Sequence, residues 1–342
     1  MPALLTVGSH TNISLDAMSG DLGAEIVVRA AAATLEKYRN LKLILVGDKT
    51  ELTDLVSRII GNDPRLRIEH ASEVVEMSES PADALRKKKD SSMRVAVNLV
   101  KSGDADACVS AGNTGALMAT AKFVLKMLPG IDRPAIIAEL PAIGGSLHML
   151  DLGANTQGRA DHLFQYAVMG SIVASDILAI DNPKVALLNV GAEDTKGHDT
   201  VKEAAAKLNE STLNYVGFIE GSDLFSGKAD VVVTDGFTGN VALKTMEGTV
   251  GLCAHYLRRA FTKGWLSKLQ AVLARRVLKN LAVEMDSRNY NGATLVGLNG
   301  IVIKSHGSAD AYAFQHAIDT AVVEVRNQLP QQIGTLLQKE TA

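Results

Sequence analysis

Short apolar runs alternate with longer amphipathic segments along most of the chain. Segment 24–40, AEIVVRAAAATLEKYRN, has apolar residues at helical spacing and lies between two runs that are almost continuously apolar. Strands that are apolar on both faces are typical of a parallel sheet between helical layers. The pattern therefore predicts an α/β fold, doubly wound, with a mainly parallel sheet and helices on both faces. The predicted strands are 13–21, 41–48, 106–112, 134–142, 147–155, 185–191, 214–221, 229–236 and 300–307.

The length of 342 residues allows one large domain or two of ordinary size. No low-complexity segment and no Pro/Gly-rich linker divides the chain, which favours a single α/β domain over residues 1–342. Within it, residues 1–11 are expected to form a flexible N-terminal extension. Residues 247–284 are expected to form an inserted basic amphipathic helical element that protrudes from the sheet.

The composition and the two cysteines indicate the cellular compartment in which the protein works. Apolar residues make up 46% of the chain, but no run approaches the 18 residues that a membrane span requires. The N-terminal segment lacks a basic leader followed by an apolar run, so no signal peptide is expected. Cys108 lies in a predicted strand and Cys253 in a predicted helix, where buried, inert thiols are usual. These features predict a cytoplasmic protein.

Charge is distributed unevenly. Between Glu247 and Glu284 there is no acidic residue, whereas seven Lys and Arg residues give this segment a charge of +7. The rest of the chain must carry −10 to give the net charge of −3. Such segregation indicates an acidic partner for one face.

Apolar residues in segment 261–283 recur at helical spacing and make one apolar stripe beside the basic residues. Three interpretations stay open: an ordinary core-facing helix, an interfacial membrane helix, and a docking site for an acidic protein. Only the last two explain the missing acids, since anionic headgroups or an acidic surface would both attract cations. The candidate contact residues are Trp265, Leu266, Lys268, Leu269, Arg275 and Arg276.

Two predicted strands are followed by the same Gly-x-Thr-Gly turn, at residues 112–115 and 236–239, and each of these turns is called a corner below. CVSAGNTGALM (108–118) and VVVTDGFTGNVAL (231–243) both pass from β-branched residues through Gly-x-Thr-Gly into a predicted helix. Unpaired amides and the helix dipole at such a corner favour an anion. Tight strand–helix turns also use Gly for purely conformational reasons. Two matching corners favour a shared phosphate pocket.

Several kinds of site are excluded. The chain has no G-x-G-x-x-G after a strand, no G-x-x-x-x-G-K-[ST], no H-E-x-x-H, no C-x-x-C and no G-x-S-x-G. We therefore expect no metal, no cofactor, no nucleic-acid partner and no serine nucleophile. A chain with anion sites but no nucleophile of its own could use bound phosphate as the nucleophile.

Other polar clusters follow predicted strands. The loop GAEDTKGH (191–198) could be a solvated loop, but an apolar strand directs it toward the expected cleft. IVIKSHGSAD places Lys304 and His306 at a strand end, with Ser308 or Asp310 as the cap of the next helix. The cations of RKKKDSSM (86–93) are explained by a helix C-terminus, followed by a new helix capped by Asp90 or Ser91.

Taken in order, the segments DAMSGD, LVGD, HASEVVEM, SAGNTGALM, GIDRPAI, LDLGAN, LLNVGAEDTKG, DGFTGNVALKT and NGIVIKSHGSAD resemble the bacterial phosphate acyltransferase family of the PlsX type. The match runs from about residue 12 to residue 328. The resemblance implies a phosphate acetyltransferase- and isopropylmalate dehydrogenase-like fold and a homodimeric, peripheral membrane enzyme. It also implies the reaction of fatty acyl carrier protein with inorganic phosphate to give acyl phosphate. A membrane glycerol-3-phosphate acyltransferase would then use the acyl phosphate in phospholipid synthesis.

The family's catalytic lysine falls on Lys196 and its catalytic asparagine on Asn240. For direct attack by phosphate on a thioester, Lys196 would bind phosphate charge and Asn240 would polarise the carbonyl. The family usually has Gly where Ser19 stands and Pro where Ala24 stands, and Ser19 would be strained if its φ were positive. The residues expected to bind phosphate and the thioester are Gly112, Asn113, Thr114, Gly115, Thr238, Gly239, Lys304 and His306.

Rival functions share parts of this pattern. A phosphate acetyltransferase-like enzyme that uses acyl-coenzyme A shares the chemistry, and a decarboxylating dehydrogenase shares the fold. A non-enzymatic scaffold would bind the carrier protein and the membrane without consuming phosphate.

Overall fold

The computed structural model describes residues 11–178, 180–284 and 286–341. In these ranges one sheet runs through the molecule with strands in the order β3-β2-β1-β4-β11-β10-β5-β6-β9-β7-β8. The strands are β1 (Thr11–Asp16), β2 (Leu41–Gly47), β3 (Leu66–His70), β4 (Ala107–Ser110), β5 (Ala135–Ala142), β6 (Gly145–Leu150), β7 (Val185–Leu188), β8 (Tyr215–Ile219), β9 (Val231–Val233), β10 (Ala293–Val296) and β11 (Ile301–Lys304).

Helices cover both faces of the sheet. They are α1 (Ala24–Lys37), α2 (Lys49–Ile59), α3 (Pro81–Lys87), α4 (Ser92–Ser102), α5 (Thr114–Leu125), α6 (Ala160–Leu178), α7 (Asp199–Asn209), α8 (Gly236–Thr262), α9 (Trp265–Leu273), α10 (Arg275–Glu284), α11 (Ala311–Arg326) and α12 (Leu329–Thr341).

The strands bury side chains on both faces, which explains their continuous apolar character. In β2, Leu43 and Leu45 pack in the core cluster with α1 and α11, whereas Ile44 and Val46 pack in the cluster with α4 and α5. Successive side chains of a strand point to opposite faces, so a strand buried on both faces is apolar at all its buried positions; in β2 the exception is Lys42, which is exposed. The predicted doubly wound α/β fold is confirmed.

The sheet consists of two parallel halves that run in opposite directions. Strands β1, β2, β3, β4 and β11 are mutually parallel, and so are β6, β9, β7 and β8. Between them, β10 is antiparallel to β11 and β5, and β5 is antiparallel to β6. As a result β4 and β9, which carry the two predicted corners, run in opposite directions.

All nine predicted strands are present, and two strands were missed. β3 is an edge strand in which Arg67 and Glu69 form an exposed ion pair, so it lacks the continuous apolar pattern. β10 has four residues between Gly292 and Gly297. The prediction for residues 1–10 lies outside the described residues, and Thr11, its last residue, begins β1.

The basic segment is helical but divided. Helix α8 runs without interruption through Glu247, the predicted start of the basic element. The single apolar stripe expected over 261–283 is split where Gly264 is extended and where Ala274 separates α9 from α10. None of residues 247–281 is buried, so the core-facing interpretation does not hold within this chain. Cys253 is exposed, contrary to expectation, whereas Cys108 is buried.

Candidate active site

The corner after β4 begins α5, and its glycines are required by packing. A Cβ at Gly112 would lie 2.6 Å from Cε of Met93 and 2.9 Å from Oγ of Ser19. The side-chain oxygen of Asn113 accepts from the Ala116 N–H, and its amide nitrogen donates to the carbonyls of Met77 and Glu79. Thr114 and Gly115 are exposed. Their backbone N–H groups begin the helix and have no partner one turn earlier, so they remain available to an anion.

The buried carboxylate of Asp16 fixes the residues around this corner by hydrogen bonds. Ser19 and Ser110 both donate their hydroxyls to Oδ2 of Asp16, and Ser110 accepts from the Gly112 N–H. Burial raises the pKa of Asp16, against the effect of its hydroxyl partners, of which Ser110 is the strongest. The positive φ in this turn is at Gly20, at 102°, and not at Ser19. Ser19 is therefore unstrained, and its hydroxyl adds a hydrogen bond to Asp16.

Lys304, at the end of β11, lies beside the same corner. It is only 9% exposed, and its ammonium donates to the carbonyls of Ala111 (3.3 Å) and Ser305. Burial lowers the pKa of Lys304 to about 8; Asp16 and Asp21 oppose this effect, and the positive charge of Lys244 adds to it. This ammonium is thus a buried cation held against the corner by backbone carbonyls.

His306 follows Lys304 and is exposed. Its Nδ1 lies 2.9 Å from Oγ of Ser308, and its backbone N–H donates to Asn291. Asp310, one of the two predicted caps, accepts from the Ala313 N–H at the start of α11. Ser91, likewise one of two predicted caps, begins α4 by accepting from Arg94.

At the corner after β9, the side chain of Asp235 caps the start of α8. Oδ1 of Asp235 accepts from the N–H groups of Phe237 and Thr238, and Oδ2 accepts from the Thr238 hydroxyl. Both donors of Thr238 are therefore already bonded within the chain. A Cβ at Gly239 would lie 2.0 Å from the carbonyl oxygen of Asp151, so the backbone of α8 touches the backbone of another loop there.

That loop, residues 151–155, is organised by the Asp151 carboxylate. It accepts from the N–H groups of Ile136, Gly153, Ala154 and Asn155. A Cβ at Gly153 would lie 3.5 Å from Cβ and Cγ of Asn240, so the loop packs directly against that side chain. Sequence reasoning gave Asp151 no role, although the LDLGAN motif that contains it was recognised.

Lys196 lies in the loop after β7. A Cβ at Gly191 would lie 3.1 Å from Cγ of Lys196, so the aliphatic part of the Lys196 side chain packs against Gly191. The Asn189 side-chain amide donates to the Lys196 carbonyl, which fixes the backbone of the loop. The Lys196 side chain is exposed and, among the described residues, forms no hydrogen bond or ion pair.

The structure places the Lys196 loop and the start of α8, which carries Asn240, at one edge of the sheet. β9 lies between β6 and β7 and is parallel to both, so the loops that follow all three strands leave the same edge. Neighbouring strands are about 4.8 Å apart. Asn240 is exposed, and its amide has no hydrogen-bond partner within the described ranges. Two unoccupied donors, one of them cationic, therefore lie on the loop after β7 and on the helix after β9, two adjacent strands.

The corner after β4 belongs to the other, oppositely directed half of the sheet. No hydrogen bond links it to the corner after β9 in the part of the chain that the structure describes. The link between the two is α8, since Ala242, Leu243 and Met246 pack against the core cluster that contains Ala116 and Leu117 of α5. The first half of α8 therefore lies on the same face of the sheet as α5.

Comparisons with known proteins show to which family the chain belongs. The family described as fatty acid synthesis protein (FA_synthesis) matches residues 11–332. Phosphate acyltransferases from Nitrosococcus oceani and Alkalilimnicola ehrlichii are 57% and 56% identical over 327 residues, which cover 95% of this chain and 96% of each relative. A phosphate acyltransferase from Legionella pneumophila is 53% identical over 320 residues, covering 93% of this chain and 94% of the relative.

Among solved structures, a phosphotransacetylase from Streptococcus pyogenes has a TM-score of 0.63 at 21% identity, covering 93% of this chain and 94% of that chain. A branched-chain phosphotransacylase from Enterococcus faecalis has a TM-score of 0.60 at 16% identity, covering 92% and 99%. At these identities the likeness shows the fold alone. The match over residues 11–332 and the identities above 50% show more: this chain belongs to the fatty acid synthesis protein family that includes the phosphate acyltransferases.

Proposed function

We propose that the chain transfers a fatty acyl group from acyl carrier protein to inorganic phosphate, giving acyl phosphate and free carrier. The observation that carries this proposal is a pair of unoccupied donors, Lys196 on the loop after β7 and Asn240 on the helix after the adjacent parallel strand β9. Membership of the phosphate acyltransferase family supports the acyl transfer and the use of phosphate. The carrier protein as acyl donor is the finer step that the proposal adds.

In the reaction, an oxygen of hydrogen phosphate forms a bond to the thioester carbonyl carbon, and the carbon–sulfur bond breaks. The electron pair leaves with sulfur, and the phosphate proton passes to the thiolate. A thiol of pKa near 8.5 leaves readily, so the protein mainly has to position the phosphate and stabilise the oxyanion. Positioning can contribute about 7–11 kcal/mol in ideal cases, and one oxyanion donor about 3–4 kcal/mol.

Each residue takes a stated role in this proposal. Lys196 binds phosphate charge and stabilises the developing negative charge, and Asn240 donates to the carbonyl oxygen. The backbone N–H groups of Thr114 and Gly115 are the free donors at the first corner, with Gly112 and Asn113 shaping the turn. Thr238 and Gly239 form the other wall of the substrate pocket. Lys304 and His306 supply the remaining contacts to phosphate and the thioester.

The low pKa of Lys304 predicts a pH dependence. At pH values below about 8 the ammonium is charged and attracts phosphate, and above this pH it loses its proton and the attraction. kcat/KM for phosphate should therefore fall as pH rises through about 8, whereas a lysine with an ordinary pKa would keep its charge to about 10. kcat should persist to higher pH because bound phosphate raises the pKa of the ammonium. A kcat/KM for phosphate that stays constant from pH 7 to 9.5 would show that Lys304 does not bind phosphate.

We also propose that α9 and α10 contact the anionic inner face of the cell membrane. Trp265 and Leu269 of α9 are 75% and 52% exposed. The nearby cations are Lys268 of α9 and Arg275 and Arg276 at the start of α10. Apolar side chains exposed beside cations suit an interface at which each Lys or Arg contributes roughly 1 kcal/mol. No helix in the described ranges is long and apolar enough to cross a membrane. Docking of the acidic carrier protein on the same surface is the other outcome to be tested.

Replacing both Trp265 and Leu269 by Glu should release the protein from vesicles that contain anionic phospholipid. The change removes two apolar contacts and adds two negative charges at the interface. The matched control is Ile143→Glu with Val216→Glu, which adds the same charge at exposed apolar positions outside the basic segment. Vesicle co-sedimentation gives the readout. Binding as strong as that of the control would refute membrane contact, and loss of carrier binding instead would indicate docking.

The acyl donor can be tested directly. Acyl phosphate should form from palmitoyl carrier protein and phosphate at a much higher kcat/KM than from palmitoyl-coenzyme A, with acyl phosphate detected by mass spectrometry. The opposite preference would favour a phosphate acetyltransferase-like enzyme. Delivery of acyl phosphate to a membrane glycerol-3-phosphate acyltransferase, and the homodimer, stay predictions from the resemblance.

A further inference from the structure

Asp16, Ser110 and Lys304 form a row across three neighbouring strands. Asp16 is paired with Ser110 in the register of β1 and β4, and Ser110 is paired with Lys304 in the register of β4 and β11. Paired residues of adjacent strands point to the same face of a sheet. Neighbouring strands are about 4.8 Å apart, so the backbones of Asp16 and Lys304 are separated by roughly 10 Å. A carboxylate, a hydroxyl and an ammonium therefore lie side by side where three parallel strands end, and all three side chains are buried.

Hydrogen bonds connect this row to the corner after β4. The Ser110 hydroxyl donates to Oδ2 of Asp16 at 2.6 Å and accepts from the Gly112 N–H at 3.1 Å. The ammonium of Lys304 donates to the carbonyl of Ala111, the residue between Ser110 and Gly112. The carboxylate is thus linked to the turn through one hydroxyl, and the ammonium contacts the same turn directly.

Stability alone does not explain the Asp16 carboxylate. The side chain is fully buried, and its Oδ1 has no hydrogen-bond partner among the described residues. A buried polar atom without a partner costs free energy, and perturbed carboxylates of this kind cluster at functional sites. The hydroxyls of Ser19 and Ser110 both donate to Oδ2, which favours the charged carboxylate. Sequence reasoning gave Asp16 no role, although the DAMSGD motif begins with it.

Three charged groups on other segments act on the Lys304 ammonium. Burial lowers the pKa of Lys304 to about 8, and the negative charge of Asp16 opposes this effect more strongly than that of Asp21, in the loop between β1 and α1. The positive charge of Lys244 on α8 acts in the same direction as burial and lowers the pKa further. Of the two carboxylates, only Asp16 is also in register with Lys304 across the sheet.

We propose that ionised Asp16 is a positioning residue of the phosphate site, which fixes the corner after β4 through Ser110 and keeps the Lys304 ammonium charged. The inference deepens the proposed function and rests on it. Asp16 touches no substrate in this proposal. It acts by holding Ser110, and with it the Gly112 N–H, in place and by supplying a buried negative charge near the cation.

Ser110→Ala tests the hydrogen bonds, with Ser19→Ala as the matched control. Both changes remove a hydroxyl that donates to Oδ2 of Asp16, but only Ser110 also accepts from the Gly112 N–H. Leaving this buried N–H without an acceptor should raise the KM for phosphate roughly tenfold, with a smaller change in kcat. Ser19→Ala should raise it much less. Equal KM values in the two variants would overturn the role of Ser110.

Asp16→Asn tests the charge, with Glu324→Gln as the matched control. Glu324 is a buried carboxylate of α11 that accepts from the Thr294 hydroxyl, on the other face of the sheet. Without the negative charge of Asp16, Lys304 should lose its proton at a lower pH, so the fall of kcat/KM for phosphate should move to lower pH. Glu324→Gln should leave the pH of this fall unchanged, and so should Ser110→Ala, which keeps the charge.

A carboxylate with a purely structural role would change the melting temperature without moving the pH profile. An unmoved profile in Asp16→Asn, or an equal shift in Glu324→Gln, would therefore overturn the role of the charge.

Calorimetric titration with inorganic phosphate at neutral pH separates this inference from the proposed reaction, because it needs no turnover. Ser110→Ala and Asp16→Asn should both bind phosphate more weakly than the wild type, by roughly tenfold in Ser110→Ala. A wild-type protein that binds no phosphate would refute the proposed function and this inference with it. Phosphate binding by both variants as tight as that of the wild type would overturn this inference alone.

Discussion

Replacing Lys196 by Ala should lower the rate of acyl phosphate formation by at least about 10²–10³-fold, the range for losing one preorganised donor. The side chain is exposed and makes no contact that the fold requires, so the variant should keep its circular dichroism spectrum and melting temperature. The loss should appear mainly in kcat if Lys196 stabilises the developing charge, and in KM for phosphate if it only binds phosphate.

Lys207→Ala is the control for this variant. It removes an ammonium from the last turn of α7, where Lys207 forms only an exposed ion pair with Asp161. Its turnover should stay close to that of the wild type. Turnover of Lys196→Ala at the level of Lys207→Ala would exclude Lys196 from the mechanism.

Gly239→Ala should nearly abolish activity although it adds one methyl group. Its Cβ would lie 2.0 Å from the Asp151 carbonyl oxygen and 3.0 Å from Cγ2 of Thr234, so α8 must move away from the 151–155 loop. Overpacking of this kind costs about 1–3 kcal/mol, which lowers the melting temperature by several degrees. Asn240 is the next residue, and a displacement of about 1 Å can reduce the rate 10²-fold.

Gly248→Ala, nine residues along the same helix, is the matched control. A Cβ there meets no atom within 4 Å. Removing a glycine from a helix interior should stabilise the protein by about 0.5–1 kcal/mol and leave turnover unchanged. Equal activities in the two variants, measured with thermal melts, would show that the contact between α8 and the 151–155 loop does not position Asn240.

The sequence predicts much of the fold because burial on both faces is a local signal. The buried residues of β2 and β9 are apolar on both faces of the sheet, and the pattern shows this without any knowledge of neighbours. β3 escapes prediction because it is a half-exposed edge, and β10 because Thr294 interrupts the short apolar run between Gly292 and Gly297. The opposite directions of β4 and β9 could not be predicted, because the antiparallel pairings of β10 and β5 are long-range contacts.

The site was predicted only in part, for similar reasons. The Gly-x-Thr-Gly corners are visible as motifs, but the sequence does not show what occupies their donors. Asp235 takes both donors of Thr238, and the Asn113 side chain is bonded to residues 77, 79 and 116. Asp151 acts through hydrogen bonds to a neighbouring strand and to its own loop, so it does not stand out along the chain.

In the proposed reaction, inorganic phosphate itself attacks the acyl thioester. The most direct measurement is mass spectrometry of products and intact protein after reaction of palmitoyl carrier protein with phosphate labelled with oxygen-18 at all four oxygens. Direct attack by phosphate should give palmitoyl phosphate that carries all four labelled oxygens, and a protein of unchanged mass. Free palmitate with oxygen from water, or a protein that gains a palmitoyl group and then loses it to phosphate, would contradict it.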